Sequence, residues 1–585
     1  MEIQRTLILL GIAVVTYLLI LNWQDYTDAP VEEPTEEAEA TEPEHAPDDM
    51  PAVADTDDPD DDGDLPRAEE APEDTDDPPE TPDRPEAEVD DDELLNVSTD
   101  VLQVRIDPEG GDIVGVRLPD YPLSIDDPDT PFVLMDRSQA LHYVSQSGIV
   151  GPNGTDTEEG RPRWETDRTE WHLDDDERRL KVDLHHEQED GTSIIKRYTF
   201  TRGSYNIGVS HIVDNRGEET WRGALYGQIR RDGSEDPGRA TAGFIPMPTF
   251  LGAAYWTSDR PYNRKSLSNM RDDRLQLVEE GGWIAFLQHY FLSAWVPDEH
   301  RRHTYSTLYR EQHDEYIMRF VSPITRVEAG EQEELRAQFY AGPKIQDQLR
   351  EISPGLHMTV DYGWLWFLAQ PIFSVLVFLQ SGRLQVFGMD VDIGVGVGNW
   401  GVAIILLTLI IKLLFFKLSA TAYRSMARMR KVAPEMTRIR EQYKNDRQKQ
   451  SQELMKLYQK EKINPLGGCL PILVQMPVFI ALYYVLLESV ELRQAPFFGW
   501  IQDLSVMDPY FILPLLMGAS MWLQMQLNPT PPDPTQAQVM KWMPVIFTFF
   551  FLWFPAGLVL YWLTNNLLSI AQQWVITRKI EREGG

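Results

Sequence analysis

A single cation lies inside a long apolar segment in the C-terminal third of the chain. Lys412 falls within residues 404–416, which are otherwise apolar apart from Thr408. A charge at such a depth in a bilayer is costly unless water or a polar partner reaches it. Thr408 lies four residues earlier and therefore shares a helix face with Lys412. Other apolar segments contribute the polar residues Gln475, Gln524, Gln526, Asn565 and Asn566. These residue types suggest non-covalent chemistry in a hydrated cavity, whose positive charge attracts acidic or polar segments of another chain.

Two simpler interpretations of these residues stay open at this stage. Lys412 could snorkel to the membrane surface, because Lys417 lies only about 7.5 Å further along the same helix. The amide side chains could form interhelical hydrogen bonds that only hold a bundle together. In either case these residues would have no role in binding another chain.

Motifs for covalent or cofactor chemistry carry little weight in this sequence. Residues 396–401 match a dinucleotide-binding glycine pattern, but they lead into an apolar segment and follow no convincing strand, which favours a hinge. Two histidines and a glutamate at 185–187 are adjacent on a predicted strand, where neighbouring side chains point to opposite faces. Cys469 is the only cysteine. We therefore expect no enzymatic activity, no catalytic residues, no metal, no cofactor and no small-molecule substrate.

The formal net charge of -40 is concentrated near the N-terminus. Residues 25–93 contain 32 Asp and Glu against 2 Arg and no Lys. This stretch is rich in Pro and poor in aromatic residues, so it predicts a disordered, extended acidic linker. The acidity argues against DNA as a partner, because phosphate binding needs a concentrated basic surface.

The rest of the N-terminal half predicts an anchor and one large soluble domain. Residues 7–23 are nearly all apolar, and we expect an uncleaved transmembrane anchor over 1–24, with a cleaved signal peptide as the alternative. Residues 94–345 contain short segments of alternating polarity, such as 193–200, separated by turn residues. This pattern predicts an all-β sandwich.

The C-terminal part predicts a membrane α-helical bundle. Residues 423–462 carry 12 Lys and Arg against 5 acidic residues, which is typical of a cytoplasmic loop. If the N-terminal anchor crosses from the cytoplasm, the β domain lies outside, and only one membrane crossing can separate it from this cytoplasmic loop. The segment 400–418 supplies that crossing, so 346–398 is predicted to hold an interfacial helix and a hinge. The candidate apolar segments are 364–380, 400–418, 470–487, 509–527, 539–554 and 558–576.

The resulting topology has about six transmembrane helices. The anchor and five helices in the core at 399–577 cross the inner membrane, both termini are cytoplasmic, and the β domain is periplasmic. The basic segment 419–463 forms a cytoplasmic helical hairpin that breaks at Pro434, and residues 578–585 form a cytoplasmic tail. The hairpin charge is either a topology signal alone or also a docking surface.

Four motifs give the chain a resemblance to a known family. They are Asn464-Pro465-Leu466-Gly467-Gly468-Cys469-Leu470-Pro471, Gln475-Met476-Pro477, Val490-Glu491-Leu492-Arg493-Gln494-Ala495-Pro496-Phe497 and Phe554-Pro555-Ala556-Gly557-Leu558. The chain resembles the YidC/Oxa family of membrane protein insertases in this order of motifs. Its anchor and β domain resemble the Gram-negative YidC type, whose periplasmic domain is a β-supersandwich.

The resemblance implies that client helices enter the membrane through a groove that is hydrated and positively charged. Lys412 falls where many members have Arg, so the charge is kept without the bidentate fork. Lys417 falls where many members have Pro, which implies a straighter helix end. The expected groove residues are Lys412, Thr408, Gln475, Gln524, Asn565, Tyr561 and Trp562. The expected client-contacting hydrophobic slide is Met476, Pro477, Phe479, Phe547 and Phe550. The expected cytoplasmic docking residues are Arg424, Arg428, Arg430 and Lys431.

The implied partners are nascent membrane proteins, the Sec translocon, the ribosome and the lipid bilayer. A secondary transporter is the alternative class, but transporters usually show internal repeats and broken helices, and neither is found in the sequence. A scaffold that assembles other membrane proteins is a third class. Insertion of a client into liposomes, solute flux, or neither would discriminate among the three.

Overall fold

The fold is described from a computed structural model of residues 93–138, 140–157, 160–236, 250–386, 389–392, 394–444, 446–461, 470–527 and 534–583. The predicted anchor and acidic linker at 1–92 lie outside the described residues. The glycine-containing motif that begins at Asn464 lies largely outside them as well.

Residues 95–343 form nineteen strands and one short helix. The helix is α1 (Leu267–Asp272). The strands are β1 (Leu95–Ser98), β2 (Gln103–Asp107), β3 (Asp112–Pro122), β4 (Pro131–Arg137), β5 (His142–Val150), β6 (Glu170–His172), β7 (Arg179–Glu187), β8 (Ser193–Thr201), β9 (Asn206–Asp214), β10 (Trp221–Asp232), β11 (Gly252–Tyr255), β12 (Asn263–Ser266), β13 (Gln276–Glu280), β14 (Ile284–Leu287), β15 (Phe291–Pro297), β16 (Arg302–Arg310), β17 (Glu315–Val321), β18 (Thr325–Val327) and β19 (Gln332–Pro343).

The strands form two large sheets that pack face to face. The first sheet has 11 strands in the order β13-β16-β17-β10-β5-β4-β3-β2-β1-β6, with β18 paired to β10. The second has 8 strands in the order β12-β11-β14-β15-β19-β9-β8-β7. Most neighbouring strands are antiparallel, whereas β1 and β6 are parallel. The predicted all-β sandwich is confirmed.

Alternation along β8 shows how the sequence builds this core. Ile194, Tyr198 and Phe200 are each at most 1% exposed, and the alternate residues Ile195, Arg197 and Thr199 are half-buried. Because successive side chains on a strand point to opposite faces, every second residue enters the space between the sheets. The strand therefore presents one apolar face to the partner sheet.

One of the inward positions on β8 is a lysine. Lys196 is fully buried, and its ammonium group donates hydrogen bonds to the carbonyl oxygens of Gly110 (3.0 Å) and Ser147 (2.7 Å). Burial lowers the pKa of Lys196 to about 7. Nearby, Arg161 forms ion pairs with Asp112 and with a second buried aspartate. The sandwich core therefore holds charged groups that have polar partners.

The C-terminal part contains nine helices among the described residues. They are α2 (Gln346–Ile352), α3 (Trp366–Ser381), α4 (Trp400–Leu414), α5 (Phe416–Gln442), α6 (Arg447–Lys460), α7 (Leu470–Glu488), α8 (Ile512–Leu527), α9 (Pro534–Phe551) and α10 (Ala556–Glu583). A two-stranded sheet, β20 (Arg383–Val386) and β21 (Met389–Asp392), lies between α3 and α4. Short 3-10 turns are Glu311–His313, Leu356–Thr359, Gly363–Leu365 and Val490–Leu492.

Few of these helices are both long enough and apolar enough to cross a bilayer by themselves. Within the described residues, Gly363–Ser381 is the helical segment that meets a bilayer-spanning length and composition by itself, and α4 and α5 meet it only when taken together. The other apolar helical segments, Val474–Glu488, Ile512–Leu527 and Gln538–Phe551, are shorter. Buried side chains of α3, α4, α7, α8 and α10 nevertheless form one shared hydrophobic core.

Two expectations about the basic segment are wrong. The straighter helix end at Lys417 is not found, because α4 and the first part of α5 are bent by 67°. The bend coincides with a change from the apolar α4 to the more basic α5. The break at Pro434 is not found either, because Pro434 lies inside α5. Helix-forming residues on both sides of Pro434 sustain the helix despite the missing donor.

The buried ion pair between β10 and β17 gives a stability prediction. Glu315 is 2% exposed, and both its oxygens accept hydrogen bonds from Arg230, at 2.8 and 2.9 Å. Burial by itself raises the pKa of Glu315, but the hydrogen bond from His142 and the charge of Arg230 outweigh burial and lower the pKa to about 2. The ionised form therefore stabilises the fold above the ordinary glutamate pKa, and this contribution is lost as pH falls towards 2.

We expect Glu315→Gln to lower the free energy of unfolding by about 3 kcal/mol at pH 7, because the buried ion pair between Glu315 and Arg230 is lost. Denaturation of the purified full chain in detergent, followed from pH 7 to pH 3, measures the effect. The exposed pair Glu93–Arg163 supplies the control, and Glu93→Gln should cost less than about 1 kcal/mol. An equal loss for Glu315→Gln at pH 3 and pH 7 would contradict the ion-pair explanation.

Candidate functional site

Lys412 points into the helical bundle from the last turn of α4. Its Nζ donates a hydrogen bond of 2.7 Å to the Ser569 hydroxyl on α10. Ser569 is 2% exposed, and its hydroxyl donates to the carbonyl oxygen of Asn565, one turn earlier on α10, at 2.7 Å. Lys412 itself is half-buried. This orientation differs from that of a snorkelling lysine, whose ammonium group would leave the bundle for the headgroups.

Thr408 lies on the same helix face, one turn before Lys412. It is 1% exposed, and its hydroxyl donates a 2.7 Å hydrogen bond to the carbonyl oxygen of Ile404 in its own helix. The hydroxyl donor is thereby satisfied inside the helix, as is common for threonine in membrane helices. The oxygen can still accept a further hydrogen bond.

A narrow cleft opens beside Lys412, between α4, the start of α5 and α7. Its volume of about 20 Å³ has room for about one water molecule. The lining residues are Ile411, Lys412, Phe415, Leu418, Ser419, Val474, Gln475 and Val478. The cleft is therefore narrow, with one ammonium, one amide and one hydroxyl group on otherwise apolar walls.

Further polar atoms lie on α10, beside the cleft residue Gln475. Gln475 on α7 donates a 3.1 Å hydrogen bond to the hydroxyl of Tyr561, which is fully buried. The Oδ1 atom of Asn565 and the indole Nε1 of Trp562 are buried without a hydrogen-bond partner among the described residues. A buried polar atom without a partner costs roughly 1–3 kcal/mol. These two atoms therefore keep unused hydrogen-bonding capacity inside the bundle.

Other amides serve helix packing. Asn566 is 4% exposed and donates a 3.1 Å hydrogen bond to the hydroxyl of Ser520 on α8. Gln573 donates to the carbonyl oxygen of Leu527 at the end of α8. Gln524 is half-buried on α8, and no hydrogen bond between the described residues connects it to Lys412. The interhelical interpretation thus applies to Asn566, and Gln524 lies apart from the cleft.

The predicted hydrophobic slide divides into two parts. Phe479 and Phe547 are half-buried and pack on Trp562, with ring centroids 4.7 and 6.3 Å away. Met476, Pro477 and Phe550 are exposed on α7 and α9. The slide therefore combines an aromatic cluster on the polar face of α10 with an exposed apolar surface beside it.

Sequence reasoning missed two residues that organise the site. Ser569 binds Lys412 directly, and it lies four residues after Asn565, so helical periodicity from Asn565 was a usable signal. Phe551 is 3% exposed and contacts Phe479, Phe547 and Trp562. Its position in an unbroken aromatic run gave no signal that could separate it from its neighbours.

The predicted docking residues lie on α5. Arg424, Arg428 and Lys431 are exposed, whereas the side chain of Arg430 lies outside the described residues. α6 packs beside α5, and Gln450 donates a 3.1 Å hydrogen bond to the carbonyl oxygen of Arg440. The two helices present basic side chains away from the cleft.

The aromatic cluster gives a prediction about the integrity of the site. Trp562→Ala should destabilise the bundle by about 3 kcal/mol, because a large, half-buried side chain that packs on Phe479 and Phe551 is removed. Trp574→Ala is the matched control, since Trp574 is 48% exposed on the same helix, and it should cost less than half as much. Thermal denaturation in detergent measures both. Equal losses for the two variants would show that Trp562 has no special packing role.

Comparison with known proteins places both parts of the chain. A family described as "60Kd inner membrane protein" matches residues 393–583, and a family described as "YidC periplasmic domain" matches residues 94–375. "Membrane protein insertase YidC" of Alcanivorax borkumensis is 61% identical over 588 residues, covering 99% of this chain and 100% of the relative. The protein of the same name from Stutzerimonas stutzeri is 51% identical, covering 99% of both chains.

One solved structure also resembles the chain. It is described as "Active YidC insertase crystal structure with the first transmembrane domain resolved", has 19% sequence identity and a TM-score of 0.37, and covers 83% of this chain and 92% of that chain.

The identity to the curated relatives extends over nearly the whole chain, and the two family matches cover the sandwich and the bundle. The sandwich is accordingly the periplasmic domain of an inner-membrane protein. The chain belongs to the YidC family of membrane protein insertases.

Proposed function

We propose that the cleft beside Lys412 receives the polar segment of a client chain, and that the neighbouring aromatic surface releases the apolar segment into lipid. The observation that carries this proposal is the ammonium group of Lys412, which faces Ser569 inside the bundle at 2.7 Å. A cation held there lowers the cost of bringing a carboxylate or a polar backbone into a low-dielectric region. No covalent step and no cofactor is required.

The attraction between Lys412 and an acidic client residue is large enough to matter. At 4 Å and an effective dielectric constant of 20, two unit charges interact with about 4 kcal/mol. The Ser569 hydroxyl can rotate and exchange its bond to Lys412 for a client group, because a hydroxyl both donates and accepts. Asn565 and Trp562 supply further unpaired polar atoms along the same face.

Release of the apolar segment uses the exposed surface of α7 and α9. Met476 is 40% exposed and Phe550 is 49% exposed. A client helix that lies against these side chains has lipid on its other side, so it can leave sideways. Transfer of apolar side chains into lipid drives this step, at roughly 0.8 kcal/mol per buried CH₂ group.

We further propose that α4, α7, α8, α9 and α10 cross the inner membrane together with the N-terminal anchor. In this topology α3 lies in the outer interface, α5 and α6 are cytoplasmic, and both termini are cytoplasmic. Trp364, Trp366 and Phe367 are each more than half exposed at the start of α3, as expected for rings at a membrane interface. The basic character of α5 and α6 supports their cytoplasmic location.

The cytoplasmic α5–α6 pair is proposed as a docking surface for the ribosome or for emerging clients. Arg424, Arg428 and Lys431 expose three positive charges on one helix. Ribosomal RNA is a polyanion, and a cluster of exposed cations attracts it. The Sec translocon is proposed as a partner for larger clients.

Replacement of Lys412 tests the groove. Insertion of a short client with one acidic residue in its translocated segment is measured in liposomes that contain the purified protein. Lys412→Arg should keep most of the activity, Lys412→Gln should lower the insertion rate about tenfold, or about 1.4 kcal/mol, and Lys412→Glu should lower it further. A client with a neutral segment should respond less to all three changes.

Lys417→Gln is the matched control, because Lys417 lies five residues after Lys412 and its side chain is exposed. It should insert clients like the wild type. If all the Lys412 variants also behave like the wild type, the charged-groove mechanism is wrong. Solute flux without insertion would support the transporter alternative, and neither activity would support the scaffold alternative.

Site-directed labelling tests the topology. In a Cys469→Ser background, a membrane-impermeant maleimide added to spheroplasts should label Gly330→Cys, since Gly330 lies in an open turn of the sandwich. The same reagent should label Arg428→Cys only after the membrane is permeabilised. Labelling of Arg428→Cys from the outside would contradict both the proposed topology and the docking surface.

A further inference from the structure

The connection between α7 and α8, residues 489–511, has an unusual distribution of polar and apolar side chains. Between residues 494 and 511 the charged residues are Asp503 and Asp508, and both are buried, at 9% and 0% exposure. Four of the five aromatic residues of this loop are instead exposed: Phe498 by 63%, Tyr510 by 67%, and Trp500 and Phe511 by 37% each, whereas Phe497 is half-buried. A loop in contact with water normally shows the reverse arrangement.

The two aspartates are used inside the loop. Asp508 accepts hydrogen bonds from the indole of Trp500 (3.0 Å) and from the backbone of Tyr510 (3.0 Å) and Leu513 (2.7 Å). Asp503 accepts hydrogen bonds from the backbone and the hydroxyl of Ser505. The aspartates thus order the loop and tether one end of Trp500.

The backbone conformation also fixes the direction of the aromatic side chains. Phe511 has φ +57° and Gln494 has φ +56°. A bulky residue rarely adopts this left-handed conformation, and it persists only where the surroundings hold it. Asp508 supplies that restraint at Phe511, because its side chain binds the backbone on both sides of that residue.

The loop is attached to the transmembrane end of the bundle. Asn399, which precedes α4, donates to the carbonyl oxygens of Pro496 and Phe497 at 3.2 Å each. The start of α10 is attached too, since the backbone amides of Ala556 and Gly557 donate to the carbonyl oxygens of Val506 and Leu504 at 2.7 and 2.9 Å. The loop therefore lies where α4, α9 and α10 meet.

The opposite side of the loop is attached to the sandwich. Arg493 donates a 2.7 Å hydrogen bond to the carbonyl oxygen of Pro122 and lies 5.8 Å from the ring centroids of both Phe132 and Phe291. Val490 is 1% exposed and belongs to the sandwich core. The sandwich turn that follows Pro122 exposes apolar Leu123 by 48%, so the exposed apolar surface continues from the loop onto the sandwich.

We propose that Phe498, Trp500, Tyr510 and Phe511 form an anchoring surface that enters the headgroup region of the outer leaflet and holds the sandwich against the bilayer. The partner is the phospholipid interface, because aromatic rings without exposed charges match its half-wet, half-apolar environment. The anchoring surface is continuous with the end of the bundle that is already in the membrane. The choice of the outer leaflet rests on the proposed topology. The contact between the loop and lipid is inferred from the exposed aromatic residues and does not depend on that topology.

Spin labels test the anchoring surface in the full-length protein reconstituted into phosphatidylethanolamine–phosphatidylglycerol vesicles. In a Cys469→Ser background, each variant carries one label, at either Phe498→Cys or Tyr510→Cys. Leu515→Cys on α8, where the side chain is 60% exposed, is the lipid control, and Val278→Cys on β13, where it is 46% exposed, is the aqueous control. Collision rates with oxygen, which concentrates in lipid, and with a water-soluble nickel chelate are compared.

The labels at 498 and 510 should show a ratio of oxygen to nickel collisions several-fold above that at 278 and approaching that at 515. A ratio equal to that at 278 would overturn the proposal, and so would dipolar broadening between labels, which would show that a second copy covers the surface. The same measurement on a Lys412→Gln background should be unchanged. Lipid contact of the loop can therefore be judged separately from the insertion activity that depends on Lys412.

Discussion

The cost of burying a polar group in a low-dielectric region is the constraint on which the bundle depends. Lys412 meets this cost through Ser569, and the Ser569 hydroxyl in turn uses a backbone carbonyl of α10, so one chain of hydrogen bonds links α4 to α10. Asn566 and Ser520 form a second link, between α10 and α8. α10 is therefore the helix on which the polar groups of the bundle converge. The Oδ1 atom of Asn565 and the Nε1 atom of Trp562, which have no hydrogen-bond partner among the described residues, lie on the same helix. In the proposed function they are available to polar groups of a client.

The sandwich solves the same problem in a different way. Lys196 and the Arg230–Glu315 pair are fully buried, but their partners are fixed by strand register on both sides. Such groups favour one arrangement of the two sheets over others, because any slip of register leaves a charge unpaired. Lys196 and the Arg230–Glu315 pair are thus held by fixed partners, although other polar atoms buried in the sandwich, such as those of His211 and Gln288, have no hydrogen-bond partner among the described residues.

Patterns that depend on neighbouring residues in sequence could be predicted, and features that depend on three-dimensional contacts could not. Alternation over residues 193–200 predicted β8, and the apolar segments predicted α7 to α10 within a few residues. The Lys412–Ser569 contact joins residues 157 positions apart, so no local pattern reveals it. Pro434 was expected to end a helix on local grounds, but the flanking helix formers prevailed. The bend after α4 coincides with the change from apolar to basic composition, but a sequence pattern does not specify the angle between two successive helices.

Helix length adds a further step to the mechanism. α4 has 15 residues and α8 has 16, which correspond to about 22 and 24 Å of helix. The hydrocarbon core of a bilayer is about 30 Å thick. In the topology proposed above, helices of these lengths would favour a thinner bilayer around them. That would shorten the path of a client's polar segment, and Lys412 near the end of α4 would shorten it again from the other side. The anchored 489–511 loop would then fix the outer surface of this thin region, because it ties α4, the α9–α10 turn and the sandwich to one level of the membrane.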